Sequence, residues 1–507
     1  MFSSFSDFPK TYHWIILVCL PSVVAISSSS IWIDEGVTVY LASQSSLSGM
    51  FTEILSSNGS EIQMPGYMVY MWGWVKLFGV KEITLRASNL PFLILLLFSI
   101  LLLPRKNEFK IISILLICMS PLVAYYMNEA RSTISLFSFS GISLCGTILF
   151  CDGSQRQARL GKVVTILSIT LGACFNLLAF FVIPAIGAFV LVHYWILKSN
   201  PPRIHQLLKA ALVSASFLLP LSVYYLWTFA RGSGGMRERP TLLNICYAVY
   251  EFVGFGGVGP PRNDLRQSFS VLTFEPYVLP IMLFGLVIFG VFTVLLLEKR
   301  RNGLFHSVIG EPFLMGFVAG LFLFSVMSFV VSFRFWGRHL LFIYPFVMFF
   351  VSRVLVDIFG DANSKHRSLK ILLAFFAGFW LYSDFNLRFV EAYQKENYRL
   401  AVRTAVELKR PTGAILWVGS PNAAAYYGLD FPELKQPEGW RVIQDAMDVK
   451  NRSKSEVDMI VRENREAVLV VFAKDDLFDR EHAWRDYVVV HQPRCSFSGR
   501  DFSIYIL

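Results

Sequence analysis

The first 390 residues of this chain are a succession of apolar stretches, nearly all of them long enough to form a helix across a bilayer. A hydrocarbon core of about 30 Å needs roughly 17 to 25 apolar residues in helical form. Stretches of that kind, the shortest of them (163–177) a little below that range, fall at about 13–30, 87–103, 111–128, 132–150, 163–177, 179–197, 207–229, 277–297, 312–332, 339–357 and 369–388. A soluble domain carries about 25% charged residues, whereas this chain has 16%, with 54% apolar and 47 phenylalanines among its 507 residues. The fold class expected is a polytopic α-helical membrane protein with about eleven transmembrane helices. Its first span, preceded by Lys10 and interrupted by Pro21, reads as a retained span and not as a cleaved signal peptide.

The net charge of +10 does not point to nucleic acid, because no basic tract with interleaved aromatics stands apart from the apolar runs. The basic residues instead sort the loops. With the N-terminus cytoplasmic, the inner loops hold Arg105/Lys106/Lys110, Arg156/Arg159/Lys162, Lys198/Arg203/Lys209, Lys299/Arg300/Arg301 and Lys365/Arg367/Lys370. Every second loop then carries three basic residues, as the positive-inside rule requires. Counting residues 64–80 as a span would reverse that pattern. Their Trp72 and Trp74 suit the headgroup level, so the segment reads as an interfacial or re-entrant helix. Two long outer loops follow, at 31–86 and 230–276. The second is rich in Gly, Pro and Arg and reads either as a flexible loop ordered on binding or as a plain connector. The seven cysteines are scattered, with no metal-ligand or redox spacing.

Composition changes near residue 395, which divides the chain into a transmembrane domain, 1–394, and a soluble extracytoplasmic α/β domain, 395–507. Residues 396–409 and 452–463 read as amphipathic helices, and NAAAYYG as a short helix. AILWVGS (414–420), AVLVVFA (467–473), DYVVV (486–490) and FSIYIL (502–507) read as strands.

Chemistry concentrates just after the first span, at Asp34-Glu35. Ionisable residues beside lipid are expensive and tend to mark function. One carboxylate could act as general base toward a hydroxyl, and the other could orient the acceptor or bind a divalent cation. The bland reading is a solvated helix end. Arg86, Arg131, Arg334 and Arg338 lie at the same membrane face, with Glu129 beside Arg131 and His339 beside Arg338. Guanidinium groups there suit a lipid phosphate, or simply snorkel to headgroups. No Cys/His/carboxylate set forms a dedicated metal site, and the glycines of GFGGVG (254–259) follow no strand, which excludes a dinucleotide fingerprint.

Trp32-Ile33-Asp34-Glu35, Pro65-Gly66-Tyr67 running into Trp74 and Phe78-Gly79, and Leu85-Arg86-Ala87-Ser88 follow one another in an order that resembles the GT-C glycosyltransferases. The likeness is to the protein O-mannosyltransferase and aminoarabinose-transferase branch, and the motifs cover about residues 30–135. The resemblance implies transfer of a sugar from a polyprenyl-phosphate carrier to a lipid, glycan or protein acceptor on the outer face of the membrane. It implies Asp34 as general base, Glu35 as its supporting neighbour or a cation ligand, and Arg86 at the carrier phosphate. Arg131 and Arg334 transfer as phosphate or sugar contacts. Relatives often carry a His-Pro-Pro triplet where this chain has Gln63-Met64-Pro65-Gly66; without that histidine no cofactor is required, although a divalent cation near Asp34 and Glu35 stays open.

The expected reaction is a single inverting displacement by an enzyme of the bacterial inner membrane. The rival reading is a transporter or flippase of lipid-linked precursors, which would place ionisable residues near the bilayer midplane. A third, weaker reading is a non-catalytic scaffold presenting the α/β domain.

Overall fold

The structure is a computed structural model and describes residues 26–57, 59–197, 202–231, 239–267, 271–301, 311–333, 336–360, 367–499 and 501–507. The fold is mostly helical. Among the described residues seven helices are long and apolar enough to cross a bilayer: Glu82–Leu101, Thr133–Asp152, Gln155–Phe175, Leu177–Tyr194, Val213–Ala230, Leu272–Val291 and Pro312–Val330. An eighth arises if Asn107–Cys118 and Pro121–Met127 are one span, bent by 57° at Pro121, a residue that cannot continue the hydrogen-bond ladder. Two more expected spans are helices that fall just outside those limits. Tyr344–Gly360 is short, and Arg367–Phe389 carries Asp384, Asn386 and Arg388 in its last turns. The expected first span lies almost wholly outside the described residues.

The helix Thr133–Asp152 is buried along its whole length and forms the axis of the bundle. It is apolar all round, as a central helix must be, and its small residues let neighbours approach closely. A Cβ on Gly146 would come within 2.9 Å of Gly161 O, and one on Gly161 within 2.4 Å of Gly146 O. Two of its hydroxyls are satisfied within the helix, Ser143 Oγ donating to Ser140 O at 2.7 Å and Thr147 Oγ1 to Ser143 O at 2.8 Å, and Ser140 Oγ donates across to Phe342 O.

The segment read as interfacial is the helix Pro65–Phe78, with 14 residues and so about 21 Å long, short of a 30 Å core. Proline at its first position and Gly79 at positive φ (79°) bound it. Trp72 Nε1 donates to Gln44 O at 3.0 Å and Trp74 Nε1 to Thr84 O at 2.9 Å, so both indoles find partners.

The loop expected to be flexible, ordered on binding, or a plain connector lies partly outside the described residues. Its described part forms helices Leu242–Val253, Arg262–Gln267 and Val271–Phe274, the first with a Thr241–Asn244 capping box and ended by Gly254 at φ 106°. Its turn-rich composition hides an amphipathic helix that packs against the bundle.

In the C-terminal part, β1 (Ile415–Val418), β2 (Leu429–Asp430), β3 (Gln444–Asp445), β4 (Met447–Asp448), β5 (Val468–Phe472), β6 (Arg494–Ser498) and β7 (Phe502–Ile506) form two sheets. The larger has the order β4-β1-β5-β7-β6, with β1 parallel to β4 and β5, and β7 antiparallel to β5 and β6. The two-stranded sheet pairs β2 with β3 in parallel. Helices Tyr398–Leu408, Pro421–Tyr426 and Lys454–Glu463 match their expected positions. DYVVV is a correction: it lies in the helix Ala483–His491. The Asp479 carboxylate accepts the N–H groups of Trp484 and Arg485 at 3.2 and 2.9 Å, which starts the helix. Trp484, Tyr487 and Val488 follow helical spacing toward the core while Val489 and Val490 face outward.

This α/β unit sits on the helix Ile33–Ala42. Tyr427 Oη accepts the Ile31 N–H at 2.7 Å, and Ser30 Oγ accepts that of Arg399 at 3.1 Å. Gly36 makes the closest approach: a Cβ there would lie 2.7 Å from Ala423 Cα. Gly36→Ala therefore forces the two units apart, and overpacking of this kind costs about 1–3 kcal/mol. Thermal unfolding of the purified full chain should show a lowered first transition and faster proteolysis between residues 390 and 430.

Candidate active site

Asp34 and Glu35 occupy the first turn of the helix Ile33–Ala42, where the helix dipole favours negative charge. Adjacent in sequence, they have different fates. Glu35 is 1% exposed. It accepts from Arg86 Nε at 2.9 Å and Nη2 at 2.7 Å, and from the Ala130 N–H at 2.8 Å. Burial works against its charge, and Arg86 outweighs it, holding the carboxyl below its ordinary range.

Arg86 is 0% exposed. Besides Glu35 it donates to the carbonyl oxygens of Ser27, Ser29 and Ser30 at 2.9, 2.9 and 3.0 Å, and to the Ser29 hydroxyl at 2.9 Å. All of its nitrogens are engaged, and none faces a cavity. The expectation that Arg86 meets the carrier phosphate does not fit this placement. Both Glu35 oxygens accept from Arg86, and one of them also from Ala130. Glu129 is likewise buried away from the cavity, 3.0 Å from Lys395 Nζ. Among the described residues no group of three or more His, Cys, Asp and Glu side chains comes together.

Asp34 turns instead into a cavity of about 280 Å³. The same lining holds Arg131, Arg262, Arg338, His339 and Lys474. Arg338 Nη1 donates to Asp34 Oδ2 at 2.7 Å. Burial alone would raise the Asp34 pKa; the charges of Arg338 and Arg131 and the Arg338 hydrogen bond reverse this and hold it well below the usual carboxylate range. Arg131 joins the site helix to the turn Ser60–Gln63. It donates to Thr38 Oγ1 and Ser60 Oγ, both at 2.9 Å, and pairs with Glu61.

The turn that carries Arg338 and His339 is fixed from behind. Glu251 accepts the Gly337 N–H at 2.9 Å, and a Cβ on Gly337 would lie 2.6 Å from the same oxygen. His339 Nδ1 accepts the Trp336 N–H at 2.9 Å, and its Nε2 accepts from Arg338 Nε at 3.3 Å. Burial, then Arg338 and Arg262, hold its pKa far below the ordinary value and keep it neutral. Arg334 lies outside the described residues.

Sequence reasoning missed three contributors. Lys474 comes from the α/β unit, pairs with Glu396 and stands 5.7 Å from the Trp32 ring. Lys395 lies 5.2 Å from that ring, close enough for a cation–π contact. Arg262, from the long loop, lies 5.4 Å from the ring of Trp336. Lone lysines in polar segments carry no local signal; the Gly/Pro/Arg bias of the loop was the only hint of Arg262.

Removing one partner of a buried ion pair leaves the other charge uncompensated, at about 3–5 kcal/mol. Arg86→Gln and Glu35→Gln should therefore each lower folded yield and thermal stability strongly. A weakened donor affinity in a normally stable Arg86→Gln protein would contradict this assignment.

No family model matches the chain, and no curated protein matches it in sequence. Solved structures do. The chain is similar to ArnT of Cupriavidus metallidurans in the apo state, with a TM-score of 0.54 and 12% identity over 98% of each chain. It is also similar to the same protein bound to undecaprenyl phosphate, with a TM-score of 0.52 and 12% identity over 97% of this chain and 98% of that one. From the bundle through the C-terminal sheets, this chain shares the fold of ArnT.

Proposed function

We propose that this chain is a membrane glycosyltransferase that moves a sugar from a polyprenyl-phosphate carrier to a hydroxyl-bearing lipid, glycan or protein acceptor at the outer face of a bacterial inner membrane. The observation that carries the reading is the division of the Asp34-Glu35 pair. Asp34 alone faces a cavity, and that cavity is rimmed by cationic side chains. The shared fold with ArnT, one of whose structures holds undecaprenyl phosphate, supports a lipid-linked donor. A cavity of about 280 Å³ lies just below the ligand-pocket range of roughly 300–1,000 Å³, room for a sugar headgroup and not for its lipid tail.

In the proposed step the acceptor oxygen attacks the anomeric carbon as the bond to the phosphate oxygen breaks, with inversion. The phosphate leaves with the electron pair, and Asp34 takes the acceptor proton. The leaving group is an anion, so it needs positive charge more than a proton. Arg338 and Lys474 supply that charge, with Arg131 behind them. Arg338 holds Asp34 in the free protein; a bound phosphate competes for that guanidinium, and Asp34 gains basicity as the competition succeeds. We assign no cofactor to the step, and turnover should survive a chelator.

Asp34→Asn should cut turnover by about 10²- to 10⁴-fold while leaving binding of a polyprenyl phosphate within a few-fold of wild type. A transporter reading predicts near-normal flux instead. The pH profile adds a signed test. Because Asp34 sits below the ordinary carboxylate range, kcat/KM of the wild type should show no acid limb from it between about pH 5 and 8. Arg338→Gln removes the charge that lowers it; the pKa rises, the basic form is lost as pH falls, and an acid limb should appear.

A further inference from the structure

A second cavity, of about 200 Å³, is lined in part by Lys395 and not by Asp34, and takes no part in the chemistry above. One wall is the C-terminal end of the helix Arg367–Phe389, contributing Asp384, Arg388 and the apolar residues Leu381, Phe385 and Phe389. Those three apolar side chains are about half exposed on the outside of the bundle, so the cavity opens beside the surface that faces acyl chains. Lys395 and Tyr125 also line it.

The unusual group is Asp384. Both carboxylate oxygens are buried, and neither accepts a hydrogen bond. A buried carboxylate without donors is costly, and native structures nearly always supply a partner. Arg388, one helical turn on, shares the lining without bonding to either oxygen. Lys395 faces the same space, anchored by Glu129 at 3.0 Å and by Asn128 O at 2.9 Å. The cavity thus sets a buried carboxyl group without hydrogen-bond partners at one point and two cations at others, under an apolar rim.

We propose that this cavity binds the headgroup of a phospholipid bearing a primary amine. The ammonium donates to Asp384, the phosphodiester meets Arg388 and Lys395, and the acyl chains run past Leu381, Phe385 and Phe389. The chemistry selects among lipids. A quaternary ammonium has no N–H to give, so a choline lipid leaves Asp384 unsatisfied. A glycerol headgroup brings the phosphate but no cation.

The test uses the full chain in detergent, stripped of lipid and titrated with dihexanoyl phosphatidylethanolamine, phosphatidylcholine and phosphatidylglycerol, with binding read by native mass spectrometry. Wild type should bind the ethanolamine lipid roughly tenfold or more tighter than the choline lipid, the factor expected for one charged hydrogen bond. Asp384→Asn should abolish that preference, Asp384→Glu should keep most of it, and Arg388→Gln should weaken both lipids alike. Equal binding of ethanolamine and choline lipids by wild type, tightest binding of the glycerol lipid, or an undiminished preference in Asp384→Asn each overturns the proposal. If Asp384→Asn does not fold, the wild-type ratio and the uniform effect of Arg388→Gln still decide the matter.

Discussion

The ion pair between Glu35 and Arg86 ties three stretches that no local interaction would bring together. Arg86 gathers the carbonyl groups of Ser27, Ser29 and Ser30 and holds the site helix through Glu35. Glu35 in turn receives the Ala130 N–H, beside Arg131. Burying two charges gains little stability by itself, since desolvation offsets most of the attraction. What the pair supplies is geometry: a polar chain path at the membrane face becomes rigid, and the helix starting at Ile33 can present one carboxylate and no other to the cavity.

The remaining parts of the site lean on that frame. Arg131 links the site helix to the turn at residues 60–63. Glu251, from the long loop, fixes the turn that delivers Arg338. The α/β unit packs on Gly36 and sends Lys474 over Trp32. Each cation reaches Asp34 from a different element, so the charge balance in the cavity depends on all of them docking together. Such a site is preorganised to receive negative charge.

Much of this was legible in the sequence. The apolar stretches gave the helices, and the interruption of aromatic residues 64–80 by loop-charge logic matched a helix too short to span. Asp34-Glu35 stood out because paired carboxylates beside lipid are expensive. The split between them was not legible, since it depends on Arg86, more than fifty residues away, meeting Glu35 in space. DYVVV misled because β-branched residues were weighed without the Asp479 cap and the Trp484/Tyr487/Val488 spacing. In the loop at 230–276, Gly and Pro at the ends concealed an amphipathic helix between them.

The most direct test of the central claim is an experimental structure of the full chain with a polyprenyl phosphate bound. The account predicts the phosphate against Arg338 and Lys474 in the Asp34 cavity, with Arg338 drawn from Asp34 and Arg86 still bidentate on Glu35. A phosphate held by Arg86, with Glu35 released into the cavity, would contradict it.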